Sequence, residues 1–379
     1  MILAGAARVD ITPRTPCRLA GYGARDHAHE SVHDPLALRA LWLRDGKGAD
    51  LVLITADILW FSAAPAERGK AQLEAELGLR PERVMLFGTH THSAPDDGNP
   101  EWLHVLVVQA VAAAALARTR LRPGVIKVGH GNCAIGVNRR ERTADGKIVL
   151  GRNPAGPCDR ELTVLCVDDA DGYGIARVAN FACHGVVLGQ TSYVVSGDWP
   201  GAAARSIERR LAESPFLFLQ GGSGNVNPRI GPQHDYKPVE ELAKEFEEAF
   251  FRAEESAEEL EEDEPAVRGA LLPVELPRKP GSEHGSAKTV LLQAMRAGSV
   301  HLAGYPGEVF SETTLAVRHT IPGTPLLLCS YVNGGDEGYV PVREAYPEGG
   351  YEVDVSPYAD AAEAILREAF LKILGRLEE

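Results

Sequence analysis

Two histidines separated by one residue, His90 and His92, are the side chains in this sequence best suited to metal or proton-transfer chemistry. They follow the apolar run at residues 84–87, which predicts a buried strand that Gly88 ends. Side chains two residues apart point the same way along an extended chain, so both imidazoles can face one small volume beyond the strand end. Imidazole binds divalent metals and exchanges protons near neutral pH. A short His-x-His pattern also occurs at polar strand ends, so this motif alone leaves both interpretations open.

Three later apolar segments also end near a potential metal ligand. Their predicted strands are at residues 174–181, 299–305 and 326–332, and the residues that follow them are His184, Glu308 and Tyr339. Ligands that are remote in sequence and arrive from different strands are typical of a catalytic zinc site, whereas zinc fingers take theirs from close neighbours. Taken alone, His184 is more often a satisfied core histidine, and Glu308 could simply start a helix. The metal-site prediction therefore depends on their joint occurrence after apolar strands.

The elements that must position these residues alternate between strand and helix patterns, as in an α/β protein. Paired strands are predicted at 36–44 and 50–57, helices at 65–77, 102–117 and 236–263, a short helix at 287–295, and a closing helix that contains Leu366 and Phe370. Asp198 is predicted to be the N-cap of a helix that ends near residue 211. Since the chain shows no internal repeat or composition break, we expect one domain over residues 1–379. Its expected core is a mixed β-sheet layered with helices, with the metal site at strand ends.

Composition and charge limit the class of protein. The 379 residues are 44% hydrophobic and 24% charged, which is typical of a globular protein. The formal net charge of −14 argues against nucleic acid or an anionic membrane as the main partner. Six scattered cysteines without C-x-x-C spacing indicate neither a disulfide framework nor a zinc ribbon. The start of the chain lacks signal-peptide features, and the apolar run at 103–117 predicts a buried helix. We therefore expect a cytoplasmic protein without membrane insertion.

The motifs, taken in chain order, resemble those of the catalytic N-terminal domain of the neutral/alkaline, non-lysosomal ceramidases. The motifs that carry the resemblance are Ala20-Gly21-Tyr22, residues 36–40, Thr89-His-Thr-His-Ser93, Asn138-Arg139, Asn180-Phe-Ala-Cys-His184, Ser196-Gly-Asp198, Gly224-Asn-Val-Asn-Pro228, Pro306-Gly-Glu308 and Tyr339-Val340. Tyr351 follows Tyr339 by the twelve residues that the family leads us to expect. Single motifs are weak, whereas the ordered set is a strong indication of a ceramidase-like fold.

The resemblance implies a zinc centre and a set of roles around it. Its Zn²⁺ ligands would be His90, His184, Glu308 and Tyr339. His92 would lie beside the metal as an acid/base or oxyanion-contacting residue, and Arg139 and Tyr351 would contact the polar part of the substrate. Zinc polarises a carbonyl and acidifies a bound water to a pKa of about 7. The implied activity is hydrolysis of an amide bond.

The sequence departs from the family at the presumed nucleophile. Where ceramidases have Gly-Asp-Val-Ser-Pro-Asn, this chain has Asn227 in place of the serine and Asn225 in place of the aspartate. An amide cannot act as an oxygen nucleophile, although it can donate a hydrogen bond to an oxyanion. Ser223 could substitute, but metal-activated water is favoured as the attacking species. Without the family's C-terminal domain and a signal peptide, we expect a soluble N-acyl substrate rather than ceramide. Arg139 and Arg229 could hold an anionic group on it.

Three other interpretations compete with this one. A ceramidase-like domain that lost its serine could keep zinc and bind a ligand without turnover. A (β/α)₈ metal-dependent amidohydrolase also opens with His-x-His, but the later histidine and aspartate that it needs are missing at the expected positions. A metallo-β-lactamase is disfavoured because Ala94 stands where its motif requires aspartate.

Overall fold

The structure, a computed structural model, describes residues 2–260 and 265–378. Within this part of the chain, the strands are β1 Ile2–Asp10, β2 Ser31–Val32, β3 Ala37–Arg44, β4 Asp50–Ala56, β5 Val84–Gly88, β6 Arg122–Asn132, β7 Gly136–Arg142, β8 Ile148–Asn153, β9 Glu161–Asp169, β10 Gly174–Phe181, β11 Val194–Val195, β12 Phe216–Gln220, β13 Val226–Pro228, β14 Glu258–Glu259, β15 Val267–Pro277, β16 Ala287–Ala297, β17 Val300–Gly304, β18 Glu308–Val309, β19 Leu326–Cys329 and β20 Tyr339–Val340. The α-helices are α1 Ala63–Leu77, α2 Pro100–Thr119, α3 Asp198–Arg210, α4 Lys237–Glu255, α5 Ser311–Thr320, α6 Tyr351–Val355 and α7 Ala362–Gly375. Short 3₁₀ helices lie at Pro81–Arg83 and Arg343–Glu348.

The largest sheet has the strand order β12-β10-β9-β6-β1-β3-β4-β5, and β14 pairs with β6. The pairs β4–β5 and β10–β12 are parallel, whereas the other pairs in this order are antiparallel. The predicted mixed sheet is therefore confirmed. A second sheet has the order β15-β16-β17-β19.

Apolar side chains on both faces of these sheets build a layered core. One cluster joins the two sheets and includes Leu53, Val167 and Met295. A second cluster packs α1 and α2 on the large sheet, a third packs α3 and α4 on it, and a fourth packs α7 on the second sheet. Because nearly every residue of β3 and β4 is buried, these strands require cover on both faces. The predicted mixed sheet layered with helices is confirmed.

The helix α2 confirms the helix predicted at residues 102–117. Asn99 accepts a hydrogen bond from the Trp102 amide, and Pro100 occupies the first turn, so the start of the helix is well capped. By length and composition alone α2 could cross a membrane. Its Leu106 and Ala110 side chains, however, belong to the core against the large sheet. This burial is typical of a core helix.

Three sequence-based predictions are corrected. Residues 287–295 are not a helix but lie in β16, which pairs with β15 along its whole length; short apolar runs fit both structures, and here burial in a sheet decides. The helix predicted at 236–263 ends at Glu255, and residues 261–263 lie outside the described residues. Asp198 is not the N-cap, which is Gly197; its carboxylate instead accepts the amides of Val187 and Leu188.

Candidate metal centre

The loops after β5 and β10 carry the histidines and lie side by side. Thr91 forms an isolated parallel bridge with Gly185, and the His92 amide donates to the Gly185 carbonyl at 3.2 Å. His90 has a φ of +66°, a left-handed conformation that is rare for a residue with a side chain. The imidazole rings of His90 and His184 are thereby 4.5 Å apart between centroids. Two segments that are remote in sequence therefore converge at one point.

Three imidazoles form a group with metal-binding geometry. Ligand atoms of His90, His92 and His184 all lie within 4.8 Å of one another. The Nε2 atoms of His90 and His92 are 3.2 Å apart, and their rings meet edge to face. The sequence pattern after β5 therefore predicted correctly that both histidines face one small volume.

The protonation of the rings suits a metal. Nδ1 of His90 lies 3.2 Å from the Leu59 carbonyl, and Nδ1 of His184 lies 2.9 Å from the Ser223 carbonyl. A carbonyl oxygen only accepts hydrogen bonds, so these contacts place the proton on Nδ1 and leave the lone pair on Nε2. Burial lowers the pKa of His90, His92 and His184 well below the ordinary value, and charge repulsion with neighbouring groups lowers it further. Neutral imidazoles with lone pairs turned toward one another fit a divalent cation.

Glu308 and Tyr339 reach the same place from the second half of the chain. They are direct partners in the parallel pairing of β18 with β20. Oε2 of Glu308 lies 3.3 Å from Nε2 of His184, and both Glu308 and Tyr339 are buried. Burial raises the pKa of the Glu308 carboxyl, while His90 and Arg139 oppose that shift. Burial also raises the pKa of Tyr339 well above its ordinary value, so the phenol is neutral without a bound cation. The structure thus brings the four predicted zinc ligands together.

Arg139 is fully enclosed within this group. Its guanidinium donates to the Tyr339 hydroxyl at 3.1 Å and to Oδ1 of Asn227 at 3.2 Å, and Nη1 lies 3.3 Å from Nε2 of His184. Nε donates to Oε1 of Glu352 at 2.7 Å. The side chain is therefore held on every edge by groups of the centre and by one buried carboxylate.

Tyr351 marks the rim of the centre. Its ring lies 5.8 Å from that of Tyr339 and 5.9 Å from the guanidinium carbon of Arg139, and the residue is 45% exposed. The residue lies at the start of the short helix α6. An aromatic residue that is half exposed beside buried polar groups is placed to contact a molecule that enters from solvent.

The contacts of Asn227 and Ser223 bear on which group could act as the nucleophile. Because Oδ1 of Asn227 accepts from Arg139, the amide nitrogen has its hydrogens available for another acceptor. Ser223 is fully buried, and its carbonyl contacts the Nδ1 edge of His184, opposite the edge that faces the other histidines. The Ser223 side chain adjoins the Tyr331 hydroxyl, which contacts Glu308, so Ser223 lies beside the centre.

The two arginines predicted to hold an anionic group both have carboxylate partners. Arg139 pairs with Glu352, and Arg229 pairs with Glu245 at 2.6 Å. Glu245 belongs to the helix α4 and is not one of the predicted metal ligands. An anionic substrate therefore remains a prediction from the sequence.

Sequence reasoning missed the residues that support the centre. Tyr331 stacks on His90, and Glu352 pairs with Arg139, but neither has a local pattern that signals its role. The Ala20-Gly21-Tyr22 motif was noted without a role; a Cβ on Gly21 would lie 2.3 Å from Nδ1 of His92. Arg25 donates to the His92 carbonyl at 2.5 Å, so the segment at residues 20–25 packs directly on this histidine. Gly21 in that motif is the sequence signal that could have indicated a close approach of this segment to another group.

The chain is similar in sequence to neutral ceramidases. The family model described as neutral/alkaline non-lysosomal ceramidase, N-terminal, matches residues 2–237. A neutral ceramidase of Oryza sativa subsp. japonica is 26% identical over 245 residues, covering 59% of this chain and 31% of the relative. A neutral ceramidase of Mycobacterium tuberculosis is 24% identical over 270 residues, covering 61% and 41%. The matches thus span about a third to two fifths of the length of these relatives.

Solved structures share the fold. The crystal structure of neutral ceramidase from Pseudomonas aeruginosa matches with a TM-score of 0.84 at 19% identity, covering 98% of this chain and 74% of that chain. A structure described as ceramidase complexed with C2 also gives 0.84, at 18% identity, covering 100% and 75%. These matches confirm the predicted mixed α/β fold.

Proposed function

Because this chain belongs to the neutral/alkaline non-lysosomal ceramidase family, we propose that it is a zinc-dependent hydrolase that cleaves the amide bond of a small N-acyl compound. The observation that carries the proposal is the convergence of neutral imidazoles with a buried carboxylate and a buried phenol. The residues that would hold the ion are His90, His184, Glu308 and Tyr339. Bound zinc would polarise the scissile carbonyl and lower the pKa of a water molecule.

His92 is the proposed acid/base residue. Its ring is neutral and adjoins the His90 ring, so it can accept a proton from the attacking water. It would then deliver that proton to the leaving amine. Gly21 and Arg25 pack against its ring and its carbonyl, which fixes the ring's position during both transfers.

Asn227 is the proposed donor to the oxyanion that develops on the scissile carbonyl. Arg139 fixes the amide of Asn227 through Oδ1, so the Nδ2 hydrogens can be directed at the substrate. Tyr351, at the rim, would orient the polar part of the substrate. Since Asn227 cannot form an acyl intermediate, water is the proposed nucleophile, with the Ser223 hydroxyl as the alternative.

The proposed substrate is a soluble amide rather than a membrane lipid. The net charge of −14 disfavours binding to an anionic membrane. Cytoplasmic location is also proposed, because the six cysteines are free and mostly buried, as expected in a reducing compartment.

The test combines metal analysis with an activity panel on the whole chain. We expect one zinc per chain and hydrolysis of at least one N-acyl amide. The variant His92→Ala should lose about 10²–10⁴-fold in kcat and keep its zinc, because general acid–base catalysis supplies an effect of that size. Hydrolysis that survives this change would contradict the role of His92.

Loss of turnover is the second candidate, and Asn227 is the observation that favours it, since an amide stands where ceramidases carry a serine. Stoichiometric zinc with no turnover on any amide or ester would establish a ligand-binding module in place of the hydrolase.

A further inference from the structure

Tyr331 contacts two of the proposed ligands at once. Its ring stacks on that of His90, with 3.8 Å between centroids and 11° between planes. Its hydroxyl donates to Oε2 of Glu308 at 2.9 Å. Trp60 lies nearly parallel to both rings, 5.9 Å from His90 and 6.3 Å from Tyr331. One fully buried side chain therefore connects ligands from opposite halves of the sequence.

The backbone around Tyr331 is held in an uncommon conformation. Its φ is +57°, which is a rare value for an aromatic residue, and His90 beneath it has a φ of +66°. The Tyr331 amide donates to the Gly307 carbonyl at 3.1 Å, next to Glu308. Val332 forms a bridge with Phe87 in the strand that leads to His90. Left-handed residues that are fixed from two sides are typical of sites where precise side-chain placement is required.

We propose that Tyr331 is a positioning residue that fixes His90 and Glu308 relative to each other before the cation binds. The inference depends on the proposed function, because it takes these residues as zinc ligands. The stack restricts rotation of the His90 ring, and the hydroxyl restricts rotation of the Glu308 carboxylate. Residues that orient metal ligands in this way commonly contribute about 10–100-fold to metal affinity.

A merely structural role would predict a different result. Tyr331→Phe keeps the ring, the stack and the packing, and removes the hydroxyl with its hydrogen bond to Glu308 and its contact with Ser223. Tyr236→Phe is a matched control, because the Tyr236 hydroxyl also donates to a buried carboxylate, that of Asp34 at 2.6 Å, outside the metal centre. If both hydroxyls serve folding alone, both variants should change only the stability of the chain.

The experiment measures the zinc dissociation constant of the metal-stripped whole chain by competition with a chromogenic chelator. Tyr331→Phe should weaken zinc binding about 10-fold or more, and Tyr331→Leu, which also removes the stack, should weaken it further. Tyr236→Phe should remain within twofold of the wild type. Urea unfolding of the metal-free variants confirms that each is folded.

A Tyr331→Phe affinity within twofold of the wild type, or an equal loss in Tyr236→Phe, would overturn the inference. Because substrate is absent, the test is distinct from that of the proposed function. Tight zinc binding that Tyr331→Phe weakens, without amide hydrolysis, would refute the hydrolase and support the positioning role. A wild-type chain that binds zinc no better than its His90→Ala variant would contradict both.

Discussion

Glu352 is the buried carboxylate that compensates the charges of Arg139 and Arg140. It is fully buried, and each carboxylate oxygen accepts from one arginine: Oε1 from Nε of Arg139 at 2.7 Å, and Oε2 from Nη1 of Arg140 at 2.8 Å. Arg139 and Arg140 are themselves only 4% and 6% exposed. The variant Glu352→Ala removes the negative charge and leaves two buried cations.

The expected loss in the free energy of unfolding depends on the partners that each arginine keeps in Glu352→Ala. Arg140 keeps the Gly349 carbonyl at 2.8 Å and Glu348 at 3.4 Å, so it stays partly compensated. Arg139 keeps two neutral acceptors, Tyr339 and Asn227, and Glu308 is the remaining carboxylate that acts on its charge. Removing one partner of a buried ion pair costs about 3–5 kcal/mol. We therefore expect the free energy of unfolding to fall by about that amount.

The assay is urea unfolding of the metal-free chain, with chelator present, for the wild type and two variants. Glu348→Ala is the matched control: it also removes a carboxylate beside Arg140, but its side chain is 39% exposed, so the loss should stay within about 1 kcal/mol. A loss for Glu352→Ala no larger than that of Glu348→Ala would refute the claim that this carboxylate compensates buried charge.

Three further predictions concern the centre itself. In the metal-free chain, burial holds the pKa of His90, His92 and His184 far below the unfolded value of about 6.5, so the unfolded state takes up protons first as the pH falls. The free energy of unfolding should therefore decrease by about 2 kcal/mol from pH 7.5 to 6.0, and a pH-independent value would contradict this. Gly21→Ala should lower kcat at least 10-fold by displacing His92, whereas Gly23→Ala, with open space around its Cβ, should not. Asn227→Ala should lower kcat about 10²-fold with little change in KM, and an unchanged kcat would exclude its role as oxyanion donor.

The candidate ligands His90 and His184 were accessible from the sequence because their signal is local. A strand ending in His90 or His184 is visible as an apolar run followed by a polar turn, and the structure places both at the strand ends expected. Glu308 and the Tyr339 region were also candidates because they follow apolar strands, and the family resemblance added their role as ligands. Their pairing across β18 and β20 joins residues that are 31 positions apart, which no periodicity reports.

The supporting residues could not be predicted, since their role exists only in tertiary contacts. The apolar run at residues 326–332 predicts one strand. In the structure β19 ends at Cys329, and Tyr331 has a left-handed backbone conformation. In the sequence, nothing distinguishes Glu352 from other acidic residues. Its role depends on tertiary contacts with Arg139 and Arg140. The local pattern at residues 287–295 allows either a helix or a strand. Pairing with β15 decides for the strand, and the sequence pattern does not report that pairing.

An anomalous difference map from crystals of the zinc-loaded chain, recorded on both sides of the zinc edge, tests the central claim most directly. The account predicts one peak within about 2.0–2.3 Å of Nε2 of His90, Nε2 of His184 and the Glu308 carboxylate. The Tyr339 hydroxyl should complete the set. A peak elsewhere, or fully loaded crystals without a peak among these atoms, would contradict it.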